Sequence, residues 1–91
     1  MALQQDYIYK GVNFFNCYLK ITKVEYRDIT RNGVKVWLVE FYLSIYSKNT
    51  KEGLLEPLYF SFEVAKEADL KYTTYYNFIK TQPDYLNAID I

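Results

Sequence analysis

The chain has no histidine and a single cysteine, Cys17. Without histidine, no Ser-His or Cys-His nucleophilic pair can be built. The commonest general acid/base, which is also a frequent metal ligand, is missing with it. One cysteine cannot close a disulfide within the chain, which fits a reducing compartment. Glycine is scarce. Gly11, Gly33 and Gly53 stand apart from one another as turn formers, and no glycine-rich phosphate loop exists. Net charge is lacking too, with 11 basic and 11 acidic residues. Nucleic-acid binders draw much of their affinity from clustered cations, so this balance weighs against one. It does little to keep copies apart, which is compatible with self-association. No apolar run approaches the roughly 20 residues a membrane helix needs. Met1 to Tyr9 has no basic stretch leading into an apolar core, so no signal peptide is expected.

What the chain has is tyrosine. Eleven of its 91 residues are tyrosines, and hydrophobic residues make up 51%. Tyrosine offers a large, stiff, amphipathic surface tipped by a hydroxyl, which suits contact with a partner. This composition excludes disorder, which needs low hydrophobicity and high net charge. The length implies one domain, residues 1–91, burying roughly 60–65% of its unfolded surface. Aromatic residues beyond what so small a core can hide are expected on a face, where they mark an interaction site.

The pattern runs strands first and helix last. Met1 to Gln5 reads as a frayed lead-in. Tyr7-Ile8-Tyr9 is a short extended piece closed by Lys10-Gly11. In Val12 to Arg27, Phe15, Cys17, Leu19 and Ile21 alternate with polar positions, the period of a half-buried strand. The phase changes near Thr22-Lys23, where Val24 and Tyr26 take over, as a bulge would require. Asn32-Gly33 is the strongest hairpin signal. In Val34 to Tyr46, Trp37, Val39, Phe41, Leu43 and Ile45 share one face, and Val36, Leu38, Glu40, Tyr42, Ser44 and Tyr46 share the other. Ser47 to Gly53 reads as a loop. Pro57 opens a third strand, Leu58 to Glu63, with Leu58, Phe60 and Phe62 inward. Val64 to Lys71 suits one helical turn. Asp69 or Thr73 could cap a helix carrying Tyr72, Tyr75, Tyr76 and Ile79 on one face. That helix should end before Pro83. The apolar tail, Asp84 to Ile91, should pack back on the sheet.

These elements predict an α+β domain: an antiparallel sheet of three or four strands, a meander with one long hairpin, packed by a short C-terminal helix. Trp37, Phe41, Leu19, Ile21, Phe60, Phe62 and Phe78 are the expected core.

Little of this carries chemistry. Cys17 sits in an apolar alternation, so it reads as a buried structural thiol. The acids Glu25, Asp28, Glu40, Glu52, Glu56, Glu63, Glu67 and Asp69 are scattered, and no spacing compels a catalytic pair. Glu40 is the odd one, since it interrupts an apolar strand; pairing with Lys20 across the sheet would account for it. No catalytic residue, cofactor site or metal site is expected. An aromatic platform of Tyr18, Tyr26, Tyr42, Tyr46 and Tyr59, with Lys20, Lys35 and Lys48 nearby, could stack bases of a single strand, an alternative the net charge disfavours. One helix covers one face of a sheet. If it covers the Trp37/Phe41 face, the other has no cover within the chain. Tyr18, Leu38, Tyr42, Tyr46 and Tyr59 are therefore the candidate protein interface, with a homo-oligomer as the expected assembly.

Several words of the sequence resemble a family. These are Tyr9-Lys10-Gly11-Val12, Ile45-Tyr46-Ser47-Lys48, Pro57-Leu58, Tyr75-Tyr76-Asn77-Phe78-Ile79-Lys80-Thr81 and the ending Tyr85-Leu86-Asn87-Ala88-Ile89-Asp90-Ile91. They are similar to words in small phage and prophage structural proteins associated with tail, neck or baseplate. The resemblance implies a non-enzymatic structural or assembly protein, in the virion or the host cytoplasm, contacting itself or other phage structural proteins. A phage origin also admits a small inhibitor that binds a host defence protein. No catalytic residue comes with the resemblance.

Overall fold

The computed structural model describes residues 1–47 and 53–91. Five strands, β1 (Leu3–Tyr9), β2 (Val12–Arg31), β3 (Val34–Tyr46), β4 (Leu54–Val64) and β5 (Ile89–Asp90), form one sheet. Helix α1 (Tyr72–Lys80) lies between β4 and β5 in sequence, with 3-10 turns at Glu67–Asp69 and Pro83–Tyr85. Every neighbouring pair is antiparallel, in the order β4-β3-β2-β1-β5. The fold is α+β as expected, with five strands rather than three or four. The fifth is two residues long and carries no periodicity of its own.

Two tight turns set the register of the meander. Lys10 and Gly11 have φ of 51° and 78°, and Asn32 and Gly33 have φ of 51° and 79°. Paired left-handed residues give a two-residue turn the twist of the flanking strands. The ladders accordingly close at Tyr9↔Val12 and Arg31↔Val34. β2 runs on to Arg31, beyond the expected end at Arg27, because its pairing with β3 continues to this turn. The expected loop from Ser47 to Gly53 lies largely outside the described residues; at its ends the Ser47 N–H donates to the Gly53 carbonyl at 3.0 Å.

Two bulges bend β2. The first lies between Phe14 and Cys17, where the pairing with β1 shifts and Asn16 takes φ 55°. The Asn16 N–H donates to the Asp6 carboxylate at 2.8 Å. The extra residue reverses the face of everything before it. Phe14 turns inward against the core, and Phe15, expected inward with Cys17, is instead 70% exposed. The second bulge lies between Thr22 and Glu25, with Lys23 at φ 53°. It sits where the sequence changes phase, and it puts Val24 against the core.

The inner face holds Cys17, Leu19 and Ile21 from β2 and Val39, Phe41, Leu43 and Ile45 from β3, all buried. α1 covers them with Tyr75, Tyr76 and Ile79. Trp37, Phe60, Phe62 and Phe78, expected in the core, are half-buried around it. Phe62 stacks on Phe78 with ring centroids 4.2 Å apart, and Phe41 lies 5.7 Å from Phe60 and 6.0 Å from Tyr75. Aromatic pairs of this kind add about 0.5–1.5 kcal/mol beyond their burial.

The N-cap of α1 is Lys71, which supplies no side-chain hydrogen bond, so neither Asp69 nor Thr73 caps the helix. It ends before Pro83, as expected. The Thr81 and Gln82 N–H groups bond the Phe78 and Ile79 carbonyls at 3.1 and 3.0 Å. The tail packs back on the sheet as expected, with Tyr85 and Ala88 buried in the core and the Tyr85 ring 6.0 Å from that of Phe60, and then closes the sheet edge. Leu3 pairs with Asp90 and Gln4 with Ile89, and the Ile91 N–H reaches the Ala2 carbonyl at 3.1 Å. The N-terminus is therefore no frayed lead-in: Ala2 and Leu3 are buried. β4 starts at Leu54, before the expected Pro57, which sits inside the strand opposite Ser44. An edge strand accommodates proline by turning the missing N–H side to solvent.

Candidate interaction surface

α1 leaves the opposite face of the sheet uncovered, and strand register arranges that face in rows. Tyr18 stands beside Tyr46. The next row holds Lys20, Ser44 and Pro57, followed by Thr22, Tyr42 and Tyr59. Beyond these come Glu25, Glu40 and Ser61, then Arg27, Leu38 and Glu63. All five candidate interface residues lie here, but not as one apolar stripe. Polar rows separate the aromatic ones.

The two tyrosine pairs are direct cross-strand contacts. Tyr18 and Tyr46 have ring centroids 6.2 Å apart and tilted by 56°. Tyr42 and Tyr59 meet edge to face at 5.7 Å. Tyr18, Tyr46 and Leu38 are half-buried by their neighbours, whereas Tyr42 is 39% and Tyr59 54% exposed. Among the five candidates the most available surface is therefore the Tyr42/Tyr59 pair at the middle of the face, and Leu54, opposite Tyr46, adds a side chain that is 55% exposed.

The polar rows are partly satisfied within the sheet. The Tyr59 hydroxyl donates to Glu40 Oε2 at 2.5 Å, and this bond, then desolvation, holds the phenol above its usual pKa. The Thr22 and Ser44 hydroxyls are 3.1 Å apart. Arg31 grips Glu63 with its Nε at 2.8 Å and a terminal nitrogen at 2.6 Å from Oε2. Glu40 faces Glu25 directly, a like-charge pair that is ordinarily unfavourable. Its expected partner Lys20 sits two rows away, opposite Ser44. Lys23, looped out by the bulge, borders the same depression as the two acids and holds its ammonium 5.9 Å from the Tyr42 ring centre.

Two residues expected here lie on the other face. The Thr22–Glu25 bulge turns Tyr26 beside Val39, on the α1 side. Lys35 shares the Trp37 face, with its Nζ 5.1 Å from that ring and 3.3 Å from the Asp28 carboxylate. Lys48 lies outside the described residues. The described part of the base-stacking platform is thus reduced to four tyrosines with Lys20 and Lys23.

A second polar group escaped the sequence reading. Curvature of the sheet brings the Tyr7 hydroxyl onto the Glu56 carboxylate, to which it donates. Tyr7, Leu58, Asp84 and Tyr85 border one depression beside it. Burial, then the bond to Glu56, raises Tyr7 well above an ordinary phenol. Burial, then Asp84 and Glu56, pushes Tyr85 up to about 12. These residues lie on β1, β4 and the tail, and no local spacing links them. Among the described residues, no group of three or more histidine, cysteine or acidic side chains is arranged to hold a metal ion. No helix there is long and apolar enough to cross a membrane.

No family model, no curated protein and no solved structure matches the chain.

Proposed function

We propose that this chain is a non-enzymatic structural or assembly subunit that works by protein–protein contact, first of all with copies of itself. The observation that carries the reading is the uncovered outer face, centred on Tyr42 and Tyr59 and flanked by Leu38 and the Tyr18/Tyr46 pair. Rigid aromatic anchors between polar rows are the composition of a contact face. A second copy suits it because the chain carries no net charge to repel its like. The resemblance to small phage structural proteins adds the setting, a component of a phage particle or of its assembly.

Tyr42→Ser and Leu38→Glu test the reading by light scattering, with circular dichroism as the control for folding. Both should lower the oligomeric mass while leaving the fold intact. A wild type that stays monomeric at tens of micromolar overturns self-association. Capture of one host protein by a stable monomer, or salt-sensitive oligonucleotide binding, would replace it with a different function.

A further inference from the structure

The two long edges of the sheet are guarded differently. On one side β5 covers the start of β1. On the other, β4 is the outermost strand, and among the described residues no backbone hydrogen bond outside the β3–β4 ladder is made from Leu54–Val64. Natural edge strands are blunted by proline, bulges or free charge. The first part of β4 has two of these: a register break beside Leu54 and Pro57. From Leu58 onward it has neither, and the one charge there, Glu63, is held by Arg31.

Pro57 also fixes which groups face outward. Having no N–H, it takes the position whose nitrogen points away from β3. Antiparallel residues alternate in direction, and the N–H and C=O of one residue point the same way. Tyr59, Ser61 and Glu63 therefore present unpaired donors and acceptors to solvent, while Leu58, Phe60 and Phe62 bond β3.

We infer that two copies of this chain pair through their β4 edges, antiparallel and two-fold symmetric about Ser61, joining two five-stranded sheets into one. Five symmetric registers centre between Tyr59 and Glu63, on outward or on inward residues, and four are poorer. Centring on Phe60 sets Pro57 opposite Glu63 of the other copy, and centring on Phe62 sets Leu58 opposite Lys66. Centring on Tyr59 places Pro57 opposite Ser61 of the other copy, where proline cannot donate. Centring on Glu63 puts two like charges on the axis. Centring on Ser61 lets the Ser61 pair and the two Tyr59–Glu63 pairs exchange both their N–H···O bonds, and Pro57 falls opposite Ala65, beyond the end of β4. It sets Tyr59 opposite Glu63, Phe60 opposite Phe62 and Leu58 opposite Val64, with Glu56 across from Lys66. Apolar meets apolar and acid meets base. The outer faces then run on continuously, with the two Tyr42/Tyr59 pairs flanking the axis.

This inference rests on the reading that the chain self-associates, but it uses a different surface from the outer face, so the two can fail separately. Ser61→Pro removes an outward N–H without touching the β3 ladder, and Ser61→Lys opposes two ammonium groups on the axis. Both should lower the mass measured by light scattering. Ser61→Cys should cross-link to itself through a short bis-maleimide, because paired residues on the axis lie about 5.5 Å apart between Cα atoms, while Cys17 is buried. The cross-link also keeps the inference testable if either other variant fails to fold. A wild type heavier than one chain whose Ser61→Cys form does not cross-link overturns the edge pairing and leaves the face reading standing. Cross-linking at Ser61→Cys with a mass unchanged by Tyr42→Ser supports the edge and overturns the face. A monomeric wild type overturns both.

Discussion

The hydroxyl of Tyr76 takes the place of a ladder rung for Ile21. The β1–β2 ladder begins at Leu3↔Leu19, so the Ile21 N–H has no strand partner. Tyr76, on α1 and only 2% exposed, accepts that N–H at 2.9 Å and donates to the Met1 carbonyl at 3.1 Å. One side chain from the helix thus closes the open end of two strands and locks α1 to the sheet.

Tyr76→Phe would leave the buried Ile21 N–H unpaired. It should cost about 1–3 kcal/mol, the usual penalty for a stranded buried donor. Tyr72, one turn away and 51% exposed, is the control: Tyr72→Phe should change stability by less than about 0.5 kcal/mol. Denaturant unfolding of the two variants reads the difference.

Alkaline pH should unfold the protein through its buried phenols. Tyr85 is pushed up to about 12, by burial first, and burial also raises Tyr7, Tyr75 and Tyr76. Below the ordinary tyrosine value near 10 both states keep these protons. From there to about 12 the unfolded chain releases them while the folded chain holds them, so stability falls as pH rises. Tyrosinate absorbance should appear in two phases, with the second phase coinciding with loss of the sheet signal in circular dichroism.

The bulge at Asn16 makes neighbouring phenylalanines unequal. Phe15→Ser should fall within about 0.5 kcal/mol of wild type, because that ring is already in solvent. Phe14→Ala should cost at least about 1 kcal/mol in lost burial. Asn16→Val, a β-branched residue forced to positive φ, should cost about 1–2 kcal/mol. Thermal melts of the three variants rank them.

Cys17 is fully buried, and burial raises its thiol. A soluble thiol reagent should label it orders of magnitude more slowly in the native protein than in denaturant. Equal rates would mean that this end of the β2 core opens freely.

The long hairpin, the inward rows of β3 and β4 and the stop of α1 before Pro83 were legible because each rests on local signals: Asn32-Gly33, strict alternation and a proline. The face of Tyr18, Leu38, Tyr42, Tyr46 and Tyr59 followed from that alternation. What escaped depends on distant pairing. Gln4 and Gln5 read as a polar lead-in, yet Leu3 and Gln4 are tied down by β5 from the other end of the chain. The Asn16 bulge had a signal, asparagine's tolerance of left-handed backbone, but the even alternation of Phe15 and Cys17 concealed it. Glu40 and Lys20 share a face, as the alternation implies, but the Thr22–Glu25 bulge sets Glu25 opposite Glu40 and leaves Lys20 opposite Ser44. The Tyr7–Glu56 contact arises from curvature of the whole sheet.

The solution mass of the wild-type chain beside that of Tyr42→Ser, both by light scattering at tens of micromolar, tests the central claim most directly. Assembly through the outer face predicts a wild-type mass above the 10.9 kDa of one chain and a lower mass for a folded Tyr42→Ser. A wild type of 10.9 kDa, or a Tyr42→Ser mass equal to that of the wild type, would contradict it.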